Sequence, residues 1–315
     1  MPTLMCCLPI LRRLLWPAAV LAVCAGGACT TEARLRQGGA TPYVRCLAAP
    51  APEDRVWRTH NLTLTLKDGA LRIAGLPTPT HVVAFSGAGF GAPPGAAELA
   101  SAAASGADLF IMLGGLGQSD AAATATALAL AKLPHPVLFV AGGRDSLRRV
   151  QHALDALPAA AAVVDVSRLR TVDIDQNQFL PIAGAEDGHY AVDEDSCGFG
   201  LPDLKVRASE LGKPMGRRWL LAWHAPAGAI AGNVARTPAG LDLGAPGLGE
   251  FARRVGVAGG LYAWPEAQLG LAPAGAPNAV VPRLFGPVAE RTDGSRSQLG
   301  FARVELGNDG LRQAR

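Results

Sequence analysis

Three apolar stretches of the chain share one design. His81-Val-Val-Ala-Phe-Ser-Gly-Ala-Gly-Phe-Gly91, Asp108-Leu-Phe-Ile-Met-Leu-Gly-Gly-Leu-Gly-Gln118 and Pro136-Val-Leu-Phe-Val-Ala-Gly-Gly-Arg-Asp145 each run through β-branched and aromatic residues and then break at glycines. Apolar residues fall on both sides of each alternation, the pattern of a strand buried on both faces. Ala- and Leu-rich segments of helical length lie between them, Ala96–Ala104 and Asp120–Lys132, and a third follows at Ser146–Leu157. Strand, glycine turn, helix, strand predicts parallel βαβ units, whose ligand sites gather at the carboxyl ends of the strands.

The flanking pattern is different. Asn61-Leu-Thr-Leu-Thr-Leu66 alternates with period two and turns through Lys67-Asp68-Gly69 into Ala70-Leu-Arg-Ile73, which predicts a hairpin with an Asp-Gly turn. A short strand is expected at Ala162–Asp165, then an antiparallel pair at Arg170–Asp175 and Phe179–Ile182. The acidic loop from Glu186 to Asp195 lacks the alternating spacing and central glycine of an EF-hand and reads as solvated. Further on, Asp203–Leu211 predicts a helix capped by Asp203, Arg217–His224 a strand ending in histidine, Gly247–Val255 a helix and Val257–Ala263 a strand. Val280–Phe285 with Gly300–Leu306 is expected to close the fold as an antiparallel pair. No internal linker interrupts 54–315, so it is expected to be one domain.

The N-terminus follows other rules. Arg12-Arg13 precedes the apolar run Leu14–Ala22, then small residues and two cysteines, Cys24 and Cys29. The run is short for a membrane span and has the layout of a secretory signal. Gly27-Ala28-Cys29 resembles the end of a bacterial lipoprotein signal, with Cys29 lipidated; Cys24 is the alternative, disfavoured by Val23 before it. The expectation is a signal peptide at 1–28, a Gly/Pro-rich tether at 29–53, and a cell-envelope protein held to a membrane by lipid on its periplasmic or outer-surface side. Cys6 and Cys7 leave with the signal. Cys46 and Cys197 then remain as a pair in an oxidising compartment, either joined as a disulfide or left as two buried thiols.

Composition adds limits. Of 315 residues 49% are hydrophobic and 17% charged, enough for a substantial core, and a net charge of +3 with no basic stripe gives no ground for a nucleic-acid partner. Gly87-Ala-Gly89-Phe-Gly-Ala92 satisfies a dinucleotide fingerprint in spacing. Pro93-Pro94-Gly95 interrupts the helix start, however, and the next strand ends in Gly114-Gly115 without an acid, so that reading is rejected. There is no serine-hydrolase elbow around Ser86 and no clustered Cys/His for zinc.

The strand ends, taken in order, resemble those of the calcineurin-like metallophosphoesterases. That family places S-D-x-H-G, G-D-x-x-D and G-N-H-D/E after three successive core strands, then a lone histidine before proline, then G-H-x-H. Here the corresponding stretches are Ser86-Gly87-Ala88-Gly89, Gly114-Gly115-Leu116-Gly117-Gln118, Gly142-Gly143-Arg144-Asp145, His224-Ala225-Pro226 and Gly259-Gly260-Leu261-Tyr262. The resemblance implies an α/β, four-layer sandwich of two mixed β-sheets flanked by helices. It also implies a dinuclear metal site, whose two ions stand roughly 3.5–4 Å apart around a bridging carboxylate. The ligand positions carry Gly87, Gly89, Gly115, Gly143, Gly260 and Tyr262, and the family's catalytic histidine is Arg144. Only His224 is retained, and one imidazole cannot hold a divalent pair.

The expectation is therefore a phosphoesterase scaffold that has lost its chemistry, with no cofactor and no metal, working as a binding or assembly module with a protein partner in the envelope. Two alternatives stay open. An active hydrolase would need displaced ligands, with Asp108, Asp120, Asp145 and His224 available. An anion-binding protein would use Arg144, His224 and glycine-turn amides; against that, Arg144 simply fills the space left by the metals.

Overall fold

The computed structural model describes residues 43–59, 61–87, 94–188, 190–228, 244–263, 278–280 and 300–313. All belong to one compact unit that starts at Ala40. Cys24, Cys29, the first part of the tether and Gly89 lie outside the described residues.

In chain order, β1 (Val44–Arg45) and a 3-10 turn (Cys46–Ala48) lead into β2 (Arg55–Thr59), β3 (Leu62–Lys67) and β4 (Ala70–Ala74). Asp68 and Gly69 between β3 and β4 both have positive φ, 49° and 71°, the requirement of a type I′ hairpin turn. The βα units follow: β5 (Thr80–Phe85), α1 (Ala96–Ala103), β6 (Leu109–Leu113), α2 (Asp120–Leu130), β7 (Val137–Val140), α3 (Leu147–Asp155) and β8 (Val163–Asp165). Serine side chains start two of these helices, Ser119 Oγ accepting from Ala122 N–H and Ser146 Oγ from Arg149 N–H. The chain continues through β9 (Thr171–Ile174), β10 (Asn177–Ile182), β11 (Ala185–Glu186), β12 (Cys197–Phe199) and α4 (Leu201–Glu210). Last come β13 (Arg217–Ala222), α5 (Pro246–Arg254), β14 (Val257–Tyr262), β15 (Asn278–Val280), β16 (Ala302–Gly307) and β17 (Gly310–Gln313). Helix α4 starts two residues before Asp203, whose carboxylate reaches back to accept from Gly200 N–H at 2.9 Å, so the capping residue sits inside the helix.

Three sheets result. A six-stranded sheet has the order β17-β16-β5-β6-β7-β8, with β5 to β8 parallel. An eight-stranded sheet has the order β15-β14-β13-β10-β9-β4-β3-β2 and mixes both directions. A small sheet, β1-β12-β11, is parallel throughout. Together they make a mixed α/β fold with five helices among the described residues.

Residue alternation shows how the layers stack. In β13, Trp219 and Leu221 join the core shared with β5–β7, whereas Leu220 and Ala222 join a second core with Leu204 of α4 and Leu248 and Phe251 of α5. In β14, Leu261 and Tyr262 divide in the same way. The eight-stranded sheet therefore faces the six-stranded sheet on one side and α4–α5 on the other, an arrangement consistent with a sandwich. Every position of β6 and β7 is buried, with alanines and Leu130 of α2 and Val150 of α3 in the same core.

One expected pairing is corrected. Ala302–Gly307 does not pair with Val280–Phe285; it lies antiparallel between β5 and β17, and β15 runs parallel to β14. Val304 and Leu306 are buried in the main core, which fixes β16 against β5. Residues 281–299 lie outside the described residues.

Within the stretch expected as a tether, β1 pairs with β12, and Cys46 is disulfide-bonded to Cys197 across 151 residues of sequence. Both cysteines are fully buried. Closing so long a loop restricts the unfolded chain strongly, so replacing both cysteines by alanine should lower the unfolding free energy in urea by about 2–5 kcal/mol. An unchanged midpoint would show that the segment is held by β1 pairing and packing alone.

Candidate functional site

The carboxyl ends of β5, β6 and β7 run into turns at Ser86-Gly87, Gly114–Gly117 and Gly142–Asp145. These turns are in backbone contact: Gly87 N–H donates to Gly114 O at 2.9 Å, and Gly114 N–H to Val140 O at 2.7 Å. A Cβ on Gly87 would lie 2.2 Å from the carbonyl oxygen of Gly115, and a Cβ on Gly115 would lie 2.2 Å from that of Gly87. Gly115 also has φ +82°, which strains any L side chain. Glycine is a steric requirement at both positions.

Asp145 explains how the turns are held so close. Its carboxylate is 1% exposed and accepts from Gly115 N–H at 2.8 Å, Leu116 N–H at 2.9 Å and Gly142 N–H at 2.7 Å. Burying a carboxylate costs several kcal/mol, and charge-assisted hydrogen bonds of about 1.5–3 kcal/mol each offset that cost. Burial pushes the Asp145 pKa up, and the backbone donors pull it only part of the way back. The amides that would make an anion-binding nest are thus engaged by the protein's own carboxylate.

The space above the turns is filled by an indole. Trp223 follows β13 on the face of Trp219 and Leu221 and is 5% exposed. A Cβ on Gly114 would meet its Cδ1 at 2.2 Å, one on Gly142 the same atom at 2.7 Å, and one on Gly143 its Cζ3 at 2.9 Å. Three glycines from two turns therefore form the seat of one tryptophan. Tyr190 packs edge-on against Trp223 and against His224, with centroids 5.4 Å away in both cases.

His224 is buried on the other side of the strand end. Its Nδ1 accepts from Glu186 N–H at 3.2 Å, which leaves the proton of a neutral ring on Nε2. The Glu186 carboxylate accepts from Gly247 N–H in the first turn of α5 at 2.9 and 3.1 Å. A Cβ on Gly260 would lie 2.5 Å from Leu220 O and 2.8 Å from the Tyr262 hydroxyl. Tyr262 is fully buried, and that burial raises its phenol pKa. Ser86 is buried, and Gln118 and Arg144 are partly exposed at the turns.

The structure thus gathers Gly87, Gly115, Gly143 and Asp145 at one place. It does not gather the displaced ligand set. Asp108 stands at the start of β6, opposite its glycine turn, where it accepts from His81 N–H at 2.8 Å. Asp120 pairs with Arg148 at 3.4 Å and Arg149 at 3.7 Å. Among the described residues no group of three His, Cys, Asp or Glu side chains stands close enough to hold a metal ion. The sequence reading missed Trp223. Its signal was the continued alternation Trp219, Leu221, Trp223 beside turns stripped to glycine.

No protein-family model matches the chain, and no curated protein does. One solved structure is similar with a TM-score of 0.50 at 12% identity, covering 75% of this chain and 99% of that one. The structure of TT1561 of Thermus thermophilus is similar with a TM-score of 0.44 at 14% identity, over 59% of this chain and 82% of that one. At such identities the first likeness concerns the fold alone.

Asp145→Asn tests the role of the carboxylate. An amide has one acceptor oxygen, so its NH2 would face backbone donors that now bond a second oxygen. The substitution should cost about 2–4 kcal/mol in urea denaturation; a loss below about 1 kcal/mol would show that the turns are held by other contacts.

Proposed function

We propose that the chain is a metallophosphoesterase-like domain without phosphoesterase activity, carried by an envelope lipoprotein and working as a binding or assembly module. The observation that carries this reading is Trp223 seated on Gly114, Gly142 and Gly143. A dinuclear site needs two ions roughly 3.5–4 Å apart around a carboxylate. At the positions the resemblance assigns to those ligands stand Gly87 and Gly115 in backbone contact with each other and Gly143 against the Trp223 ring, and His224 accepts from Glu186 N–H. The sandwich of two sheets with helices outside supports the four-layer, calcineurin-like form of the fold. The anchor is assigned to Cys29, with Cys24 as the alternative, and the partner is a protein of the same envelope.

Anion binding through Arg144 and the turn amides is less favoured, because Asp145 already takes the amides of Gly115, Leu116 and Gly142. An active enzyme with displaced ligands is less favoured still, since Asp108 lies at the opposite end of β6 from its turn and Asp120 is paired with Arg148 and Arg149.

The full chain, given bis(4-nitrophenyl) phosphate and Mn²⁺, should hydrolyse no faster than a protein-free blank. Turnover of about 1 s⁻¹, the low end of ordinary enzymes, would overturn the inactive reading. Labelled palmitate should enter the wild type and Cys24→Ser and be lost from Cys29→Ser. An unlabelled wild type would remove the anchor from the account.

A further inference from the structure

A cavity of about 280 Å³ opens where β2, the edge of the eight-stranded sheet, meets β8, the edge of the six-stranded sheet, and the end of α3. Its apolar wall includes Trp57, Leu66, Leu154 and Val164, and its charged lining is Arg55, Arg168, Asp155 and Asp165. None of these residues belongs to the strand-end turns.

The four charges are not equally satisfied. The Asp165 carboxylate accepts from Ser167 N–H at 2.9 Å, and Asp155 accepts from Gln151 Nε2 at 2.7 Å. The guanidinium groups have weaker company. Arg168 donates to the neutral Oε1 of Gln151 at 3.1 Å, and its Nε is buried without a hydrogen-bond partner among the described residues. Arg55 lies over the Trp57 ring at 4.8 Å. Neither arginine is in an ion pair within 4.0 Å among the described residues, whereas Arg45, Arg148, Arg149 and Arg312 are. Asp155 and Asp165 equal the two arginines in number, and Asp165 feels the charge of Arg168; each carboxylate is nevertheless held by its own neighbour, Gln151 or Ser167, rather than by a guanidinium. What Arg55 and Arg168 lack is an acceptor placed between them.

We propose that this cavity binds a small organic anion, with a carboxylate-type head paired to Arg168 and Arg55 and an apolar body against Trp57 and Leu154. Guanidinium groups recognise such heads through paired N–H donors. The volume lies at the small end of ligand sites and admits a body of about ten heavy atoms. The site is independent of the phosphoesterase-like reading and stands or falls by itself.

The test uses 4-fluorophenylacetate and its neutral counterpart 2-(4-fluorophenyl)ethanol, followed by fluorine NMR on the full chain in detergent. The acid should bind with a dissociation constant of about 1 mM or tighter, and the alcohol about tenfold more weakly. Arg168→Met should weaken the acid about tenfold and leave the alcohol unchanged. Arg55→Gln, at an exposed position, should weaken it in the same direction and serves if the first variant fails to fold. Ala159→Trp, at the exposed rim, should block both probes. Equal binding of acid and alcohol, no binding of either, or full acid affinity in the arginine variants or in Ala159→Trp would overturn the proposal.

Discussion

Between Gly87 and Gly115 there is no room for one carbon atom. Each carbonyl oxygen lies 2.2 Å from where the other residue's Cβ would be, well inside contact distance, so the chain approaches itself there as closely as backbone permits. The rest of the site follows. Turns so close leave their amides pointing at one another's strand end, and a single buried acceptor can serve several of them. Asp145 is that acceptor. Gly114, Gly142 and Gly143 leave room above them, and the indole of Trp223 occupies it.

This contact is anchored from outside. Cys197 N–H donates to Asp145 O at 2.8 Å, and Cys197 is the disulfide partner of Cys46. The segment around β1 is therefore covalently tied to the strand that braces the turn carrying Asp145. On the far side, Glu186 links the ring of His224 to the start of α5 through its amide and its carboxylate. Asp145, Glu186 and His224 are all engaged in hydrogen bonds that hold loops together.

Much of the fold was legible because it depended on local pattern. The strands β5, β6 and β7 were visible as apolar runs, the β3–β4 hairpin by its Asp-Gly turn, and α2 and α3 by helical length. Pairing over long distance was less legible. Ala302–Gly307 was recognised as a strand, but its partner β5 lies more than two hundred positions earlier, and periodicity carries no information about such a partner. The glycine turns were legible as breaks after apolar strands. What fills the space above them was not, because Trp223 contributes to the turns only through space. Its meaning depends on Gly114, Gly142 and Gly143 being within reach, which only tertiary structure decides. Asp145 was read as one more acidic residue of a degraded motif, whereas three amides converge on it.

The central claim is that side chain and backbone, in place of ions, hold these strand ends together. It is tested most directly by incubating the purified full chain with Mn²⁺ and Zn²⁺, desalting, and measuring retained metal by mass spectrometry. The account predicts no stoichiometric retention of either metal. Retention of about two equivalents per chain, the content of a dinuclear centre, would contradict it and require the Trp223 seat to open into a metal site.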